Sequence, residues 1–328
     1  MKRVIAVMMT LLLILPCVSY AAERIDVDKE CSLTISYIDG TTPVAGAICK
    51  IYYVATTDDT GEVEMTGDFA NYKIDLPRGK DHDKEWNELA LTFKSYACRD
   101  KIEPVTTATI GDDGTVTVGG PNTGILMPGL YLVAPQVATL GNFEYTGQPI
   151  MTFLPGTDSE KNVRAYDWSI NIKYNKKEVP PFDPDDDPTH VDISAVKIWK
   201  DKGYEKKRPE YVAVELLRNG KVYDTVKLTE KDNWKYTWEK LDAEYEWLVV
   251  EKPLDHYKVK IECKDDTYYV INQTDKNNPP GSKDNSSDKT DKLPQTGQLW
   301  WPVPACIAVG LLFLVIGFVK RRSEFDEE

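Results

Sequence analysis

Side chains that most often carry catalysis are few in this sequence and widely separated. The three histidines, His82, His190 and His256, lie far apart along the chain. This spacing gives little support to a histidine metal site or to a Ser-His-Asp hydrolase, and Cys98 is near His82 only in sequence. We therefore predict a protein that is not an enzyme and that uses no metal or cofactor.

The amino-terminal residues have the order of a signal peptide. Lys2 and Arg3 precede an apolar stretch from residue 4 to residue 18, and the small residues Ser19 and Ala21 follow. This order predicts cleavage after Ala21, and an apolar stretch of about 15 residues is too short to span a bilayer. Residues 1–21 are therefore predicted to be a leader that directs secretion.

The carboxyl-terminal residues combine a short motif, an apolar stretch and a basic tail. Residues 293–297 read LPQTG, residues 299–319 are mostly apolar, and residues 320–322 read KRR. About 20 apolar residues can cross a membrane as a helix, and positive charge marks the cytoplasmic side. Residues 299–319 are therefore predicted to be a transmembrane helix, with a cytoplasmic tail at 320–328.

This arrangement resembles the LPxTG sorting signal of Gram-positive cell-wall proteins. The resemblance implies that a sortase recognises Leu293, Pro294, Gln295, Thr296 and Gly297 and attacks the carbonyl of Thr296. The acyl group would then pass to a peptidoglycan precursor or to a pilin lysine, so the secreted chain would be covalently anchored to the wall. The alternative is a plain single-pass membrane protein that carries the pentapeptide by accident.

Composition and charge favour a secreted β-rich protein. The chain has 328 residues, and its 40 Lys and Arg against 53 Asp and Glu leave a net charge of -13. An acidic protein lacks the basic face that nucleic-acid binding needs. Its 18 Tyr, 8 Trp, 20 Pro and 20 Gly are typical of aromatic cores joined by turns. The length predicts two domains.

Two linkers divide the exported part. Residues 179–188 are rich in Pro and Asp, which favours an extended, semi-rigid hinge. Asp185, Asp186 and Asp187 could alternatively bind calcium, but the segment lacks the glycine turn and the bidentate glutamate of a calcium loop. Residues 274–292 contain no large apolar residue and are predicted to be a disordered tether.

Residues 189–273 predict a compact β-sandwich. The turn Asn219-Gly220 is a strong hairpin signal, and several short strands at regular spacing are typical of a sandwich. The predicted strands are 193–199, 211–217, 222–228, 234–238, 245–250, 257–262 and 267–272.

The same segment is similar to the collagen-adhesin B-type (Cna-B) stalk repeat. The motifs occur in the order of the family: 196–199 (VKIW), 207–209 (KRP), 214–217 (VELL), 233–234 (NW), Trp238, Leu241, and 249–253 (VVEKP) followed by Tyr257. The resemblance implies an immunoglobulin-like or prealbumin-like sandwich with an internal isopeptide bond. Lys197 of the first strand would join Asn272 of the last strand, and Glu251 would be the catalytic acid.

The implied reaction needs these residue types in a buried place. Burial lowers the pKa of a lysine and raises that of a glutamic acid. A neutral Lys197 could then attack Asn272 while a neutral Glu251 donates to its carbonyl, and ammonia leaves. Each chain reacts once with itself, so the protein is a substrate and not an enzyme.

Residues 22–178 predict a second, larger β domain with an inserted helix at 86–97. The order of its elements, with 129–133 (GLYLV) the clearest piece, looks like the N-terminal domain of sortase-assembled pilins. Related domains place a lysine in the first strand, where this chain has Ser36 or Tyr37. They place a glutamate just after the GLYLV strand, where residues 134–136 read APQ. These differences argue against an isopeptide bond in this domain.

The three cysteines of the first domain allow a disulfide, because exported proteins can form them. Pairing of Cys31 or Cys49 with Cys98 would clamp the predicted helix to the sheet. The alternative is three buried free thiols.

Residues 168–177 (WSINIKYNKK) resemble the pilin motif, in which a lysine accepts the next subunit. Asn175 replaces the proline of that motif. The resemblance implies that Lys176, then Lys173 or Lys177, would be the nucleophile in a polymer. The alternative is a solvated basic strand end.

The sequence thus predicts a mainly β protein of two tandem sandwiches, the first with an inserted helix, on the cell wall. The leading interpretation is a sortase-linked pilin subunit, in the shaft or the base. The alternative is a monomeric adhesin whose N-terminal domain binds a host matrix protein or glycan. Expected partners are sortase, the peptidoglycan precursor, other pilin subunits and a host ligand, but not nucleic acid.

Overall fold

The computed structural model describes residues 24–77, 83–158, 163–179, 190–276 and 278–280. The predicted leader, the sorting motif, the apolar span and nearly all of the Pro/Asp linker lie outside these ranges. Within them, no helix has the length and apolar character needed to cross a membrane. The described part is mainly β-structure with one α-helix, as predicted.

The first domain consists of short strands around one long helix. The strands are β1 Ser32–Ser36, β2 Ile38–Asp39, β3 Thr42–Pro43, β4 Ile48–Thr57, β5 Val63–Met65, β6 Thr106–Thr109, β7 Thr115–Gly119, β8 Gly129–Pro135, β9 Ala138–Leu140, β10 Phe143–Gly147, β11 Ile150–Leu154, β12 Gly156–Asp158, β13 Val163–Ala165, β14 Asp167–Asn171 and β15 Tyr174–Glu178. A 3-10 turn spans Gly67–Asn71, and the helix α1 spans Asp83–Asp100.

Two sheets of the first domain enclose its core. One has the order β14-β1-β7, and the other has the order β11-β8-β4-β5 with β6 also paired to β4. Burial alternates along β1, so Leu33 and Ile35 face inward and meet Ile51 and Val133 of the other sheet. A third sheet has the order β15-β10-β9 and contains β15, the last strand of the domain.

The second domain contains the seven predicted strands in the predicted order. They are β16 His190–Lys200, β17 Tyr211–Arg218, β18 Lys221–Thr229, β19 Lys235–Asp242, β20 Trp247–Glu251, β21 Tyr257–Lys264 and β22 Thr267–Thr274. Short 3-10 turns span Glu205–Lys207 and Glu230–Asp232. The hairpin between β17 and β18 turns at Asn219 and Gly220. Their φ angles of 50° and 74° both lie in the left-handed region, which Asn and Gly adopt more easily than other residues.

The two sheets of this domain have the orders β19-β16-β22-β21 and β18-β17-β20. The first strand, β16, pairs in parallel with the last strand, β22, and Lys197 lies opposite Val270. Inward residues such as Ala195, Val214 and Val249 are fully buried between the sheets. This strand order makes neighbours of two residues that are far apart in sequence.

Helix α1 joins the cores of the two domains. It is longer than the predicted 86–97, and it is buried on more than one face, because Leu89 and Phe93 are inaccessible and Lys94 and Ser95, on other sides of the helix, are buried too. One apolar cluster contains Leu89 and Phe93 of the helix together with core residues of the second domain such as Ile261. The structure packs the two domains against each other through α1, and the predicted hinge lies almost wholly outside the described residues.

Polar contacts fix the helix along the open edge of β21. The backbone N–H of Ile261, which faces away from β22, donates to Thr92 Oγ1 at 2.8 Å. Lys94 Nζ lies 2.6 Å from Glu246 Oε1, and both side chains are largely buried. An unpaired strand edge is a site for unwanted strand addition, and α1 covers this one.

Thr92 provides a test of this docking. Thr92→Val keeps the shape of the side chain but leaves the Ile261 N–H buried without an acceptor, which costs about 1–3 kcal/mol. We expect the free energy of unfolding in urea to fall by that amount, and hydrogen exchange at the Ile261 amide to accelerate.

The matched control is Thr92→Ser, which retains the hydroxyl and should protect the Ile261 amide almost as well as the wild type. Equal protection in Thr92→Val would contradict the docked arrangement.

Candidate functional site

Lys197 lies in the core of the second domain, on the central strand β16. Its ammonium donates to the Val270 carbonyl on β22 at 2.9 Å and lies 3.0 Å from Glu251 Oε2. The Lys197 side chain is 0% exposed and that of Glu251 is 1% exposed. A lysine at this position cannot reach water, so its charge depends on the carboxyl group beside it.

Glu251 comes from the opposite sheet, where it ends the fully buried strand β20. Its Oε1 accepts a hydrogen bond from Asn272 Nδ2 at 2.7 Å, and Asn272 on β22 is itself fully buried. The structure thus brings the three residues of the predicted cross-link together, with the carboxyl group in contact with both the amine and the amide.

The electrostatics of this group follow from burial. Burial lowers the pKa of Lys197 to about 8, although the neighbouring Glu251 opposes that shift. Burial also raises the pKa of Glu251, although Lys197 opposes this in turn. Both shifts favour the neutral amine and the neutral acid, which are the forms that an attack on the amide requires.

An aromatic wall closes the group on one side. The Lys197 ammonium lies 4.7 Å from the centroid of the Trp199 ring, and the Arg208 guanidinium lies 5.3 Å from the same ring. Two hydrogen bonds of 2.7 Å hold Arg208 to the buried Asp201. The Trp199 ring therefore contacts both the Lys197 amine and the ion pair of Arg208 and Asp201.

A family comparison covers the domain that holds Lys197, Glu251 and Asn272. Residues 193–273 match the model of the Cna protein B-type domain. The second sandwich is a Cna B-type domain. A relative named collagen adhesin, from Staphylococcus aureus, is 39% identical over 74 residues, which is 22% of this chain and 6% of that protein. The match therefore covers a small part of this chain and a smaller part of the relative.

Solved structures with some similarity come from Gram-positive surface proteins. Two B repeat units of the Staphylococcus aureus collagen binding protein are 18% identical, over 75% of this chain and 49% of that one, with a TM-score of 0.23. The major pilin SpaD of Corynebacterium diphtheriae is 17% identical, over 76% and 65%, with a TM-score of 0.29. The basal pilin SpaE of Lactobacillus rhamnosus GG is 13% identical, over 73% and 85%, with a TM-score of 0.29. These scores are too low to support an inference about this chain.

Lys176, the pilin-motif lysine, lies on β15 of the first domain and is held in place. Its ammonium donates to Asp39 Oδ2 at 2.6 Å and lies 4.0 Å from the centroid of the Phe143 ring. Asp39 also accepts hydrogen bonds from the hydroxyls of Tyr145 and Tyr174. These bonds lower the pKa of Asp39 to about 2, and the bond from Lys176 raises the pKa of that lysine. Sequence reasoning did not identify Asp39, which lies far from Lys176 along the chain.

The cysteines do not form the predicted disulfide. Cys31, Cys49 and Cys98 are free thiols in the structure, and Cys98 is only partly buried. Cys31 and Cys49 are fully buried in the first domain, whereas Cys98 on α1 faces Gly220 of the second domain. Burial raises the pKa of Cys31 to about 12 and that of Cys49 to about 11, so both thiols are unreactive. Helix α1 is thus attached without a covalent clamp.

The lowered pKa of Lys197 predicts how stability depends on pH when no cross-link can form. In Asn272→Ala, the unfolded chain binds a proton at Lys197 with a pKa of 10.5, whereas the folded chain has lost it above about 8. The free energy of unfolding should therefore rise with pH across this window, by up to about 3 kcal/mol. Urea titrations at a series of pH values measure it.

The double variant Asn272→Ala, Lys197→Met is the control, since it lacks the titrating amine and retains every other group. Parallel pH curves for the two variants would contradict a lowered pKa at Lys197.

Proposed function

We propose that this protein is a structural subunit of a Gram-positive cell surface, a sortase-assembled pilin of the shaft or base. In this proposal its Cna B-type domain closes an isopeptide bond between Lys197 and Asn272. The observation that carries the proposal is the buried contact of Glu251 with both Lys197 Nζ and Asn272 Nδ2, at 3.0 Å and 2.7 Å.

The reaction balances without any co-reactant. The neutral Lys197 Nζ attacks Asn272 Cγ, a new C–N bond forms, and the bond from Cγ to Nδ2 breaks. The neutral Glu251 gives its proton to the leaving nitrogen and takes one from the attacking nitrogen, so ammonia departs and the acid is regenerated. The hydrogen bond from Nδ2 to Glu251 Oε1 puts the acid beside the leaving group.

The bond would serve a mechanical purpose. It closes a loop of 76 residues, from Lys197 to Asn272 inclusive. By analogy with a disulfide, such a closure contributes about 4–5 kcal/mol through the entropy of the unfolded chain. It also joins the first and last strands of the domain, so a pull along the chain would pass through covalent bonds instead of the hydrogen bonds of the sheet.

Intact mass spectrometry tests the bond. The chain of residues 22–296 should weigh about 17 Da less than calculated, because amide formation expels ammonia. Lys197→Ala, Asn272→Ala and Glu251→Gln should each have their full calculated mass. The first two variants lack a reacting group, and the third lacks the acid. All three should unfold at lower urea concentration than the wild type.

Glu215→Gln is the matched control, because Glu215 is also buried in this domain but pairs with Lys252 at 3.2 Å. It should lose about 17 Da like the wild type. Normal loss in Glu251→Gln would show that Glu251 is not the acid, and no loss in the wild type would overturn the proposed bond.

Assembly on the wall is the second half of the proposal. A sortase would cleave after Thr296 and transfer the chain to a peptidoglycan precursor or to Lys176 of another subunit. The support for Lys176 is its defined position: Asp39 and Phe143 hold the amine, and 35% of the side chain is exposed. The ammonium must give up a proton before it can attack an acyl-enzyme. The hydrogen bond to Asp39 opposes this, because it raises the pKa of Lys176.

Immunoblots of enzymatically released cell-wall material test this assembly. The wild type should give a ladder of high-mass bands. Lys176→Arg keeps the positive charge beside Asp39 but cannot form the amide, and should give only the monomer. Lys173→Arg and Lys177→Arg are the controls and should keep the ladder.

Thr296→Ala should abolish wall attachment altogether, because the acyl-enzyme cannot form from the altered motif. A monomer band alone in the wild type would exclude a shaft pilin and leave a pilus base or the monomeric adhesin. A ladder in Lys176→Arg would exclude that lysine.

A further inference from the structure

The first domain covers one side of the proposed isopeptide site. A cavity of about 140 Å³ lies at this boundary, with residues 71–73 and Tyr96 of the first domain on one wall. The Cna B-type domain forms the other wall, which includes Glu251 and Asn272. Both of these residues are 0% exposed although they border the cavity. Part of their protection from water therefore comes from the first domain.

Helix α1 also contacts the acid residue directly. Arg99 Nη1 donates to the main-chain carbonyl of Glu251 at 3.0 Å. The Arg99 guanidinium lies 4.6 Å from the centroid of the Tyr96 ring, and that ring stacks on Tyr72 at a centroid distance of 4.4 Å. This part of the first domain therefore places a closely packed aromatic pair beside the end of β20.

Arg99 brings no uncompensated charge to the site. Its guanidinium donates to Asp100 Oδ1 at 2.7 Å and to Asp100 Oδ2 at 2.6 Å, and only 11% of its side chain is exposed. An unpaired guanidinium at this place would favour the ionised form of Glu251. Because Asp100 neutralises it, the main effect of α1 on the acid is the exclusion of water.

Two ion pairs attach α1 to the Cna B-type domain away from the cavity. Lys84 Nζ lies 3.1 Å from Glu262 Oε1, and Lys94 Nζ lies 2.6 Å from Glu246 Oε1. None of these four residues borders the cavity. Loss of one partner of a largely buried pair, such as that of Lys94, is strongly destabilising. Changes at these lysines can therefore weaken the docking without altering the cavity or the reacting groups.

Exclusion of water decides which protonation states react. Burial raises the pKa of Glu251 and lowers that of Lys197. If the first domain moved away, the cavity would open to bulk water, and solvation would favour the carboxylate and the ammonium. An ammonium cannot attack an amide, and a carboxylate has no proton to give to the leaving nitrogen.

We propose that the first domain, held in place by these two ion pairs, completes the isopeptide centre by keeping water out of it. This inference rests on the proposed isopeptide reaction. The first domain exchanges no atoms or protons with the site, so the new C–N bond, the departure of ammonia and the proton transfers through Glu251 are unchanged. Cross-linking would therefore follow the docking of α1 and not precede it.

Reversal of the two lysine charges tests the proposal. The double variant Lys84→Glu, Lys94→Glu sets like charges against each other and leaves every residue of the Cna B-type domain unchanged. Hydrogen exchange at the Ile261 amide, which α1 protects through Thr92, should accelerate in this variant.

The rate of cross-linking is measured in the same variant. Residues 22–296 are synthesised in a short cell-free pulse, samples are quenched in acid, and intact mass gives the fraction that has lost ammonia. The loss should be at least about tenfold slower than in the wild type, because a general acid contributes about 100-fold or more and acts only while it is protonated.

The matched control exchanges the charges of both pairs. Addition of Glu246→Lys and Glu262→Lys to the double variant restores two pairs of opposite charge. It should restore the protection of the Ile261 amide and most of the rate. Amide protection in the β16–β22 ladder, which should be alike in all three proteins, shows that the Cna B-type domain is folded in each.

The outcomes separate this inference from the proposed function. If the double variant exposes the Ile261 amide but cross-links at the wild-type rate, the role of the first domain is overturned while the bond stands. Retained protection in the double variant would overturn the proposed attachment, and failure of the charge exchange to restore the rate would show that docking is not the cause. If the wild type never loses ammonia, the isopeptide reaction itself falls, and this inference with it.

Discussion

The buried pair of Lys197 and Glu251 is the constraint on which the second domain depends. Moving two charges out of water costs several kcal/mol per ion, and an ion pair inside a core recovers that cost only with good geometry and further hydrogen bonds. Here the Lys197 amine donates a hydrogen bond to the Val270 carbonyl, and the Glu251 carboxyl group accepts one from the Asn272 amide. A neutral pair avoids most of the cost. The burial that costs stability therefore also favours the neutral forms that react. A covalent bond would then remove the charge of the buried amine permanently.

The strand order is what makes this pair possible. Lys197 and Asn272 lie on the first and last strands, which are parallel neighbours, and Glu251 reaches them from the facing sheet. The first domain repeats the arrangement, since β1 and β14 are also parallel neighbours. Its strand β1 has no lysine, and the following residue, Tyr37, is fully buried against Tyr145 and Tyr174. Aromatic packing there occupies the region where related domains carry a lysine.

Helix α1 connects the two domains. It covers the open edge of β21, shares an apolar cluster with the second domain, and places Arg99 beside Glu251. In the proposed role, a pull along the chain would also load the contacts that α1 makes between the two domains.

The sequence by itself determined the strands of the second domain, the hairpin turn at Asn219 and Gly220, and the existence of α1. These features depend on local periodicity and on backbone conformations that few residues adopt. The choice of Lys197, Glu251 and Asn272 also came from sequence, through the order of the family motifs. Only the tertiary structure decided that α1 is buried on a second face, that Asp39 holds Lys176, and that Cys98 faces Gly220 instead of another thiol. The physical reason is that a periodic pattern reports which residues avoid water but does not name the surface that covers them. Contacts between distant segments, such as that of Arg99 with Glu251, arise only when the two domains pack together.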